Sequence, residues 1–596
     1  MKTIRIIFFA SALFCAFPNF LQAHDIEGGE ITWRCLPNGQ YIFTMNFYSN
    51  CSVHFLSSST TINYQNGQIQ LKLDSNKYNA QGGGEISPKG VSGCQLTCHP
   101  YQFGGLQMIS YFSNPIFLLG VPPSGGWVFK WEKCCRAQSL KNVSSPQALS
   151  LTLRSVMYPY QGKNANPCYD SSPRFAELPV RAFCANKEQI YNVNAIDDDF
   201  DSLVYSWDQS LDKIGVPLTY APGFSYNNPL PDSSFHSSNN AAKLNRHTGE
   251  INFKARPVST NYEFFAVTVR VDAYRKGSLI ASVFREVPYF LSDCGMNNFP
   301  ASSIDSVPYV GHIDTIYPGE FVNYTIAVED LDYDSVNMRY QEIAMRPLGQ
   351  LFSRDFMDSL NCLDSTFSPC ATLSKTPVYN TLLEEEVLKD RKTVTVDFNW
   401  KTDCVHLGNE TGKMYNFVFK TKDDACNLPA TIYPSLSLYL SPIAAAIVRN
   451  MDTLSIETAD SYQWFFNDSL IPNSDTNKII ATANGKYSVQ IVKYNCPSLK
   501  SHYNMTTVSL DEEKMFSDVK IYPNPSAGKF TIEANNLHGS TKILVTDYQG
   551  REVQSFYLGQ RYGFKREIDL SGFPKGIYLI QISNQLQVKS RKIVLY

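Results

Sequence analysis

The chain has 596 residues with 52 Lys and Arg against 55 Asp and Glu, a net charge of −3, 13% aromatic residues and only 18% charged ones. Such a balance supplies no basic field for nucleic acid and no polybasic patch for an anionic membrane surface, so neither partner is expected. The length exceeds what one hydrophobic core serves and suits several β domains of about 100 to 150 residues each.

Met1 to Arg5 is a short basic start, Ile6 to Phe17 is apolar, and Leu21-Gln-Ala23 puts a small residue before His24. This is the layout of a cleaved secretory signal over residues 1–23. Cys15 follows the bulky Phe14, which argues against a lipoprotein site. No later run reaches the ~18 apolar residues of a membrane-spanning helix, so no transmembrane segment is expected after the signal. Of the fifteen cysteines, fourteen remain once Cys15 is removed, and none forms a Cys-x-x-Cys pair. In an oxidising setting they read as disulfides, with the pairing left open. The neighbours Cys134 and Cys135 are expected to bridge to different partners, because direct bonding strains the peptide.

Residues 24–160 form a cysteine-rich β module, in which Gly28-Gly-Glu-Ile-Thr-Trp-Arg-Cys35 and Tyr41 to Tyr48 alternate as strands do. Two related modules follow, at 161–295 and 296–442. Tyr191-Asn-Val-Asn-Ala-Ile-Asp-Asp-Asp-Phe-Asp-Ser202 aligns with Tyr324-Thr-Ile-Ala-Val-Glu-Asp-Leu-Asp-Tyr-Asp-Ser335. Each later carries a strand closing on aspartate, Phe264 to Asp272 and Tyr415 to Asp423. In this order of features the pair resembles cadherin-like and related immunoglobulin-type repeats, which implies antiparallel sandwiches. At 443–510, Ser461-Tyr-Gln-Trp-Phe-Phe466 and Gly485-Lys-Tyr-Ser-Val-Gln-Ile491 resemble the tryptophan and tyrosine-corner strands of an immunoglobulin-like domain. Val489 stands where a bridging cysteine would, so apolar packing around Trp464 is expected to replace the bridge. Residues 300–308, 429–442 and 509–516 read as linkers.

The last segment, 517–596, holds Pro523-Asn524-Pro525, Gly528, Gly550, Gly576-Ile-Tyr578 and the run Lys592-Ile-Val-Leu-Tyr596. It resembles the type IX secretion C-terminal sorting domain. Its short β-branched runs, Lys529 to Glu533, Lys542 to Thr546 and Tyr578 to Ile582, independently indicate a small all-β unit. The two prolines predict a stiff, accessible tether at its entry. The resemblance implies as partners a type IX translocon and a sorting transpeptidase, with trimming near the domain's start. It also implies a chain released, or attached to the outer face of the outer membrane of a Gram-negative bacterium.

The acidic turns carry the most plausible chemistry: Asp197, Asp199 and Asp201 in one, Asp330, Asp332 and Asp334 in the other. Carboxylates on alternate residues of a tight turn can converge on calcium, which accepts six to eight oxygens. Both turns lack the glycine and the bidentate glutamate of an EF-type loop: Ser202 and Ser335 replace the one, Asp208 and Gln341 the other. The competing reading is a solvated Asp/Ser turn bonded to its own backbone. No catalytic motif occurs. Glu384-Glu-Glu386 reads as a solvated charge run, and Trp127 with Trp131 as core more readily than as a sugar platform. The expectation is an all-β chain of tandem antiparallel sandwiches, secreted or surface-held, non-catalytic, and serving adhesion or display toward surface glycans or extracellular proteins. The alternative is a secreted hydrolase of polysaccharide or protein with its site in residues 24–160 or 300–440.

Overall fold

The computed structural model describes the chain from Ile26 to Tyr596, apart from residues 51–56, 76–83, 88–104, 137–139, 145–148, 163–167, 261, 296, 309–311, 336–337, 350, 364, 382, 409–411, 426–428, 507–518, 536–540, 559–562 and 584–587. The expected signal, Cys15, Cys51, Cys94, Cys98, Cys426 and the 509–516 linker lie outside these residues. The chain is all-β, built from antiparallel sheets, and divides into two compact units: residues 1–443 with Tyr494–Cys496, and Ala444–Lys493 with Pro497–Tyr596.

The first unit opens with seven strands: β1 (Ile26–Cys35), β2 (Tyr41–Ser49), β3 (Ser59–Tyr64), β4 (Gly67–Leu73), β5 (Gln107–Ser113), β6 (Trp127–Cys134) and β7 (Ser150–Met157). They pair in the order β1-β2-β5-β4-β3-β6-β7. The ladder then closes through the long strand Ser278–Ser292, which pairs with β7 at Ala281 to Val283 and with β1 at Gly29. The result is an eight-stranded ring, a size at which side chains alone fill the interior. Alternation along the strands sends Ile31, Trp33, Phe43, Met45, Phe129 and Trp127 inward, all nearly inaccessible to solvent. Trp127 and Trp131 therefore belong to the core.

Ser278–Ser292 also forms a hairpin with Tyr262–Arg275, to which Ser202–Trp207 adds, while Ala182–Cys184 joins it in parallel. This one sheet thus runs across the boundary expected between residues 160 and 161. Three buried ion pairs fasten the crossing: Arg285 to Glu30, Glu286 to Arg136, and Arg181 to Glu27 at 2.6 Å. Arg285 and Glu286 are adjacent, so the pleat sends one to each face and the strand is tied on both sides. Close approach is the other condition. A Cβ on Gly28 would meet the Glu286 carbonyl carbon at 2.7 Å, so only glycine lets β1 lie against Ser278–Ser292.

The following residues fold into a sandwich of two sheets, one centred on Phe321–Glu329 and Thr393–Lys401, the other on Lys413–Lys422, Glu342–Leu348 and Ser435–Leu440. Ile326, Phe398, Trp400, Phe417 and Leu436 fill the space between them. This sandwich joins its predecessor through core packing of Tyr433, Val418 and Leu348, and through Glu177, which accepts from Lys420 at 2.6 Å and lies 3.3 Å from Arg346.

Every described cysteine is bonded: Cys35 to Cys168, Cys184 to Cys294, Cys362 to Cys370, Cys404 to Cys496, and Cys134 to Cys135. The last pair corrects the sequence expectation. The neighbours bond to each other across a cis peptide, with their Cα atoms 3.0 Å apart.

In the second unit, the immunoglobulin-like part packs Trp464 opposite Val489 on paired strands, both fully buried, so apolar contact stands in for the missing bridge. Tyr487 closes its corner by donating to the Ala483 carbonyl. The C-terminal part has two sheets, Lys520–Tyr522 with Lys529–Asn535 and Gly563–Asp569, and Thr541–Asp547 with Glu552–Leu558, Gly576–Ser583 and Val588–Leu595. Phe530, Ile532, Val545, Ile580 and Ile593 lie between them.

Substituting Gly28→Ala is expected to lower stability by about 3 kcal/mol, as overpacking at a site that cannot relax does. Denaturant unfolding of the purified chain measures it. Ala in place of Gly125, which has an ordinary φ and nothing within 4 Å of an added Cβ, controls for the loss of glycine itself.

Candidate functional site

The two acidic turns share a sequence pattern and differ in what surrounds them. In the first, Asp197 is buried and accepts the backbone N–H groups of Asp199, at 2.9 Å, and Asp201, at 3.1 Å. It closes the turn, as a short acidic side chain does at such positions. Asp199 and Asp201 then project toward Asp170, which follows Cys168 on the segment leaving the ring. Carboxylate oxygens of Asp170, Asp199 and Asp201 lie within 4.8 Å of one another, and among the described residues no other three acidic, histidine or cysteine side chains come so close.

A guanidinium already stands there. Arg275 donates from Nε at 2.8 Å and Nη2 at 2.6 Å to Asp201, and from Nη2 to Asp170 at 3.0 Å, with Asp199 at 3.6 Å. Asp170 is 1% exposed, and burial together with the charge of Asp197 pushes its carboxyl well above the usual range. Burial also raises Asp197 and Asp201. The Arg275 fork stands among these three carboxylates, while Asp170 Oδ2 is buried with no hydrogen-bond partner.

The second turn is wired otherwise. Asp330 accepts the Asp332 N–H at 2.8 Å, and Asp332 accepts from the backbone and side chain of Asn298 at 2.7 and 2.8 Å. Asp334 sits on the short hairpin that pairs Tyr333–Asp334 with Arg339–Tyr340, so the three carboxylates do not converge. Asp423 comes in instead. Buried, it accepts from Asn297 Nδ2 at 2.8 Å, and Gln341 Nε2 donates to Asn297 Oδ1 at 3.1 Å. Asp330 Oδ2 and Gln341 Oε1 are buried with no hydrogen-bond partner. Burial lifts Asp330 to about 6 and Asp423 to about 7.

Sequence reasoning missed Asp170, Arg275 and Asn297 as neighbours of the turns, and took Gln341 only as the residue standing where an EF-type loop has its glutamate. Asp423 had a signal, as the residue on which the late strand closes. Its counterpart Asp272 goes elsewhere, to Arg270 at 2.7 Å.

Residues weighed for catalysis are engaged in structure. Glu385 lies 3.6 to 3.7 Å from Lys420, Lys422 and Arg346, and those cations overcome its burial and hold it below the usual carboxylate range, the opposite of a general acid. Ser488 Oγ and His502 Nδ1 lie 2.8 Å apart, but they face each other across paired strands and Ser488 is fully buried.

In the C-terminal part the sorting residues have visible work. Asn524 donates from Nδ2 to the Lys592 carbonyl at 2.8 Å and accepts the Val594 N–H at 3.0 Å, fastening Pro523-Asn524-Pro525 to the last strand. Residues 523–525 are exposed and lie outside any strand, in keeping with the expected accessible tether, and the Asn524 side chain fastens that segment to the last strand. A Cβ on Gly528 would meet Ser571 Cα at 2.7 Å. Gly550 turns the chain at a φ of 76°, and Gly576 opens the strand in which Tyr578 donates to the Pro574 carbonyl at 2.7 Å.

Because the folded-state values of Asp330 and Asp423 lie above the unfolded carboxylate value, the native state holds the extra protons. Their contribution to stability is present below about pH 4 and is lost as pH rises through about 6 to 7. In chelator-containing buffer, Asp423→Asn is expected to flatten that part of the stability profile relative to the parent protein. Urea unfolding at intervals between pH 4 and 8 reads the difference.

Residues 520–596 match the family of secretion system C-terminal sorting domains. No curated protein sequence matches the chain. Among solved structures, the BSP domain of a biofilm associated protein is similar at 10% identity and a TM-score of 0.16, over 80% of this chain and 98% of that one. Domains 3–6 of protocadherin gamma B2 give 14% and 0.15, over 71% and 98%. The four N-terminal immunoglobulin domains of Dscam1 isoform 6.44 give 10% and 0.13, over 72% and 100%. Overlaps so slight fix no residue correspondence. No helix among the described residues is long and apolar enough to cross a membrane. By that match residues 520–596 are a secretion system C-terminal sorting domain, whose fold includes the docked Pro-Asn-Pro entry, the glycines and the final strand.

Proposed function

We propose that the protein is a non-catalytic adhesion or display protein, carried to the cell exterior by its sorting domain and either released or held on the outer face of the outer membrane. The sorting domain is the observation that carries the reading. The first unit supports it: ion pairs buried across successive layers, with disulfides, make a body suited to presenting a surface rather than to opening around a substrate. Adhesion partners of the class expected from sequence, surface glycans or extracellular proteins, belong to the proposal. Labelling intact cells with an antibody raised against residues 160–440 is expected to stain cells making the full chain, or to find it in the medium. Deleting 520–596 is expected to abolish both signals and leave the chain inside. Export that survives the deletion overturns the proposal.

We also propose calcium at the second acidic turn alone, held by Asp330 and Asp423 with the amide oxygen of Gln341. The support is chemical: hard oxygens, those of Asp330 Oδ2 and Gln341 Oε1 buried without a donor, beside carboxyls whose proton affinity burial raises. Millimolar calcium is expected to raise the melting temperature of the full chain and a chelator to lower it, with the response lost in Asp330→Asn. A melting temperature indifferent to both additions removes calcium from this turn.

A further inference from the structure

We infer that Arg275 is the built-in cation of the first acidic cluster, a side chain occupying the place of an ion, so that the joint between the eight-stranded ring and the layers after it is locked without a metal. The geometry is that of a cation site. Three carboxylates from two separate segments bring oxygens within 4.8 Å, a spacing that an oxygen shell of 2.3 to 2.6 Å around one ion would span. Arg275 fills it with donors fixed in one plane, which match carboxylates two at a time as a spherical ion does not.

The contacts of this guanidinium define the joint. Arg275 ends the strand Tyr262–Arg275, and its Nη1 donates to the Tyr169 carbonyl at 2.5 Å. The other nitrogens hold Asp170 and Asp201. Asp170 in turn accepts at its own carbonyl from Trp33 Nε1, 3.2 Å away, and Ser172 Oγ accepts the Trp33 N–H at 3.0 Å, so the same segment is stitched to β1 of the ring. Asp199 Oδ2 accepts the Ser171 N–H at 2.6 Å, completing the connection from turn to segment. One side chain therefore links hairpin, turn and ring. At the second turn the nearest ion pair to an arginine is the looser contact of Arg339 with Asp424, at 3.9 Å, and no guanidinium is inserted among the carboxylates among the described residues.

The inference does not rest on calcium at the second turn, because its test counts a difference. Native mass spectrometry of the full chain in calcium would compare the parent protein with Arg275→Met, Arg275→Lys and Arg275→Met/Asp170→Asn. Removing the guanidinium is expected to free the three carboxylates and add one calcium per chain in Arg275→Met. The added ion should disappear in the double variant and be absent from Arg275→Lys, which keeps the charge. A purely structural salt bridge would lower stability in Arg275→Met without changing the count, and that result overturns the inference. Should Arg275→Met fail to fold, Asp170→Asn in the parent protein decides: an unchanged calcium count supports Arg275 as the resident cation, and the loss of one ion overturns it.

Discussion

The strand Ser278–Ser292 is the element on which the first unit depends. One of its edges is covered by the hairpin partner Tyr262–Arg275, and its other edge is shared among β7, β1 and Ala182–Cys184. That sharing requires glycine at position 28 and places Arg285 and Glu286 where each finds an opposite charge away from water. Buried pairs of this kind add little net stability over apolar packing, but losing one partner costs about 3 to 5 kcal/mol, so they penalise any arrangement in which the pairs are mismatched. The ring cannot close in another register without stranding a charge.

The same logic recurs further along the unit. Glu177 meets Lys420 and Arg346 beside the Tyr191 and Tyr433 rings, whose centroids are 5.3 Å apart, so charge and aromatic packing coincide at the next joint. Lys413 lies over Phe200 and Tyr415, adding a cation–π contact between the first acidic turn and the following sandwich. Joints made this way are internal to a core, and the modules read from sequence within this unit, 24–160, 161–295 and 296–442, are layers of one body.

Local features were legible and distant partnerships were not. Strand alternation around Trp33, Trp464 and Tyr487, the β-branched runs of the C-terminal part and the paired acidic turns all follow from periodicity and turn chemistry that act over a few residues. Arg275 is 74 residues from Asp201 and 105 from Asp170 in sequence, and nothing near it marks it as their counter-ion. The boundary at 160/161 failed as a division between sheets for a similar reason: a composition shift reports where local sequence changes, while strand pairing between Gly29 and Glu286 is decided by packing across the whole unit.

The Asn524 side chain bonds the Pro-Asn-Pro entry to the final strand, so the beginning and end of the sorting domain form a single surface. That surface exists only in the folded domain: a linear peptide spanning residues 520–530 carries Asn524 without its partners on the last strand. Until the last strand is in place, Asn524 has neither the Lys592 carbonyl nor the Val594 N–H to hold, so the docked entry is the final piece of the domain to be completed.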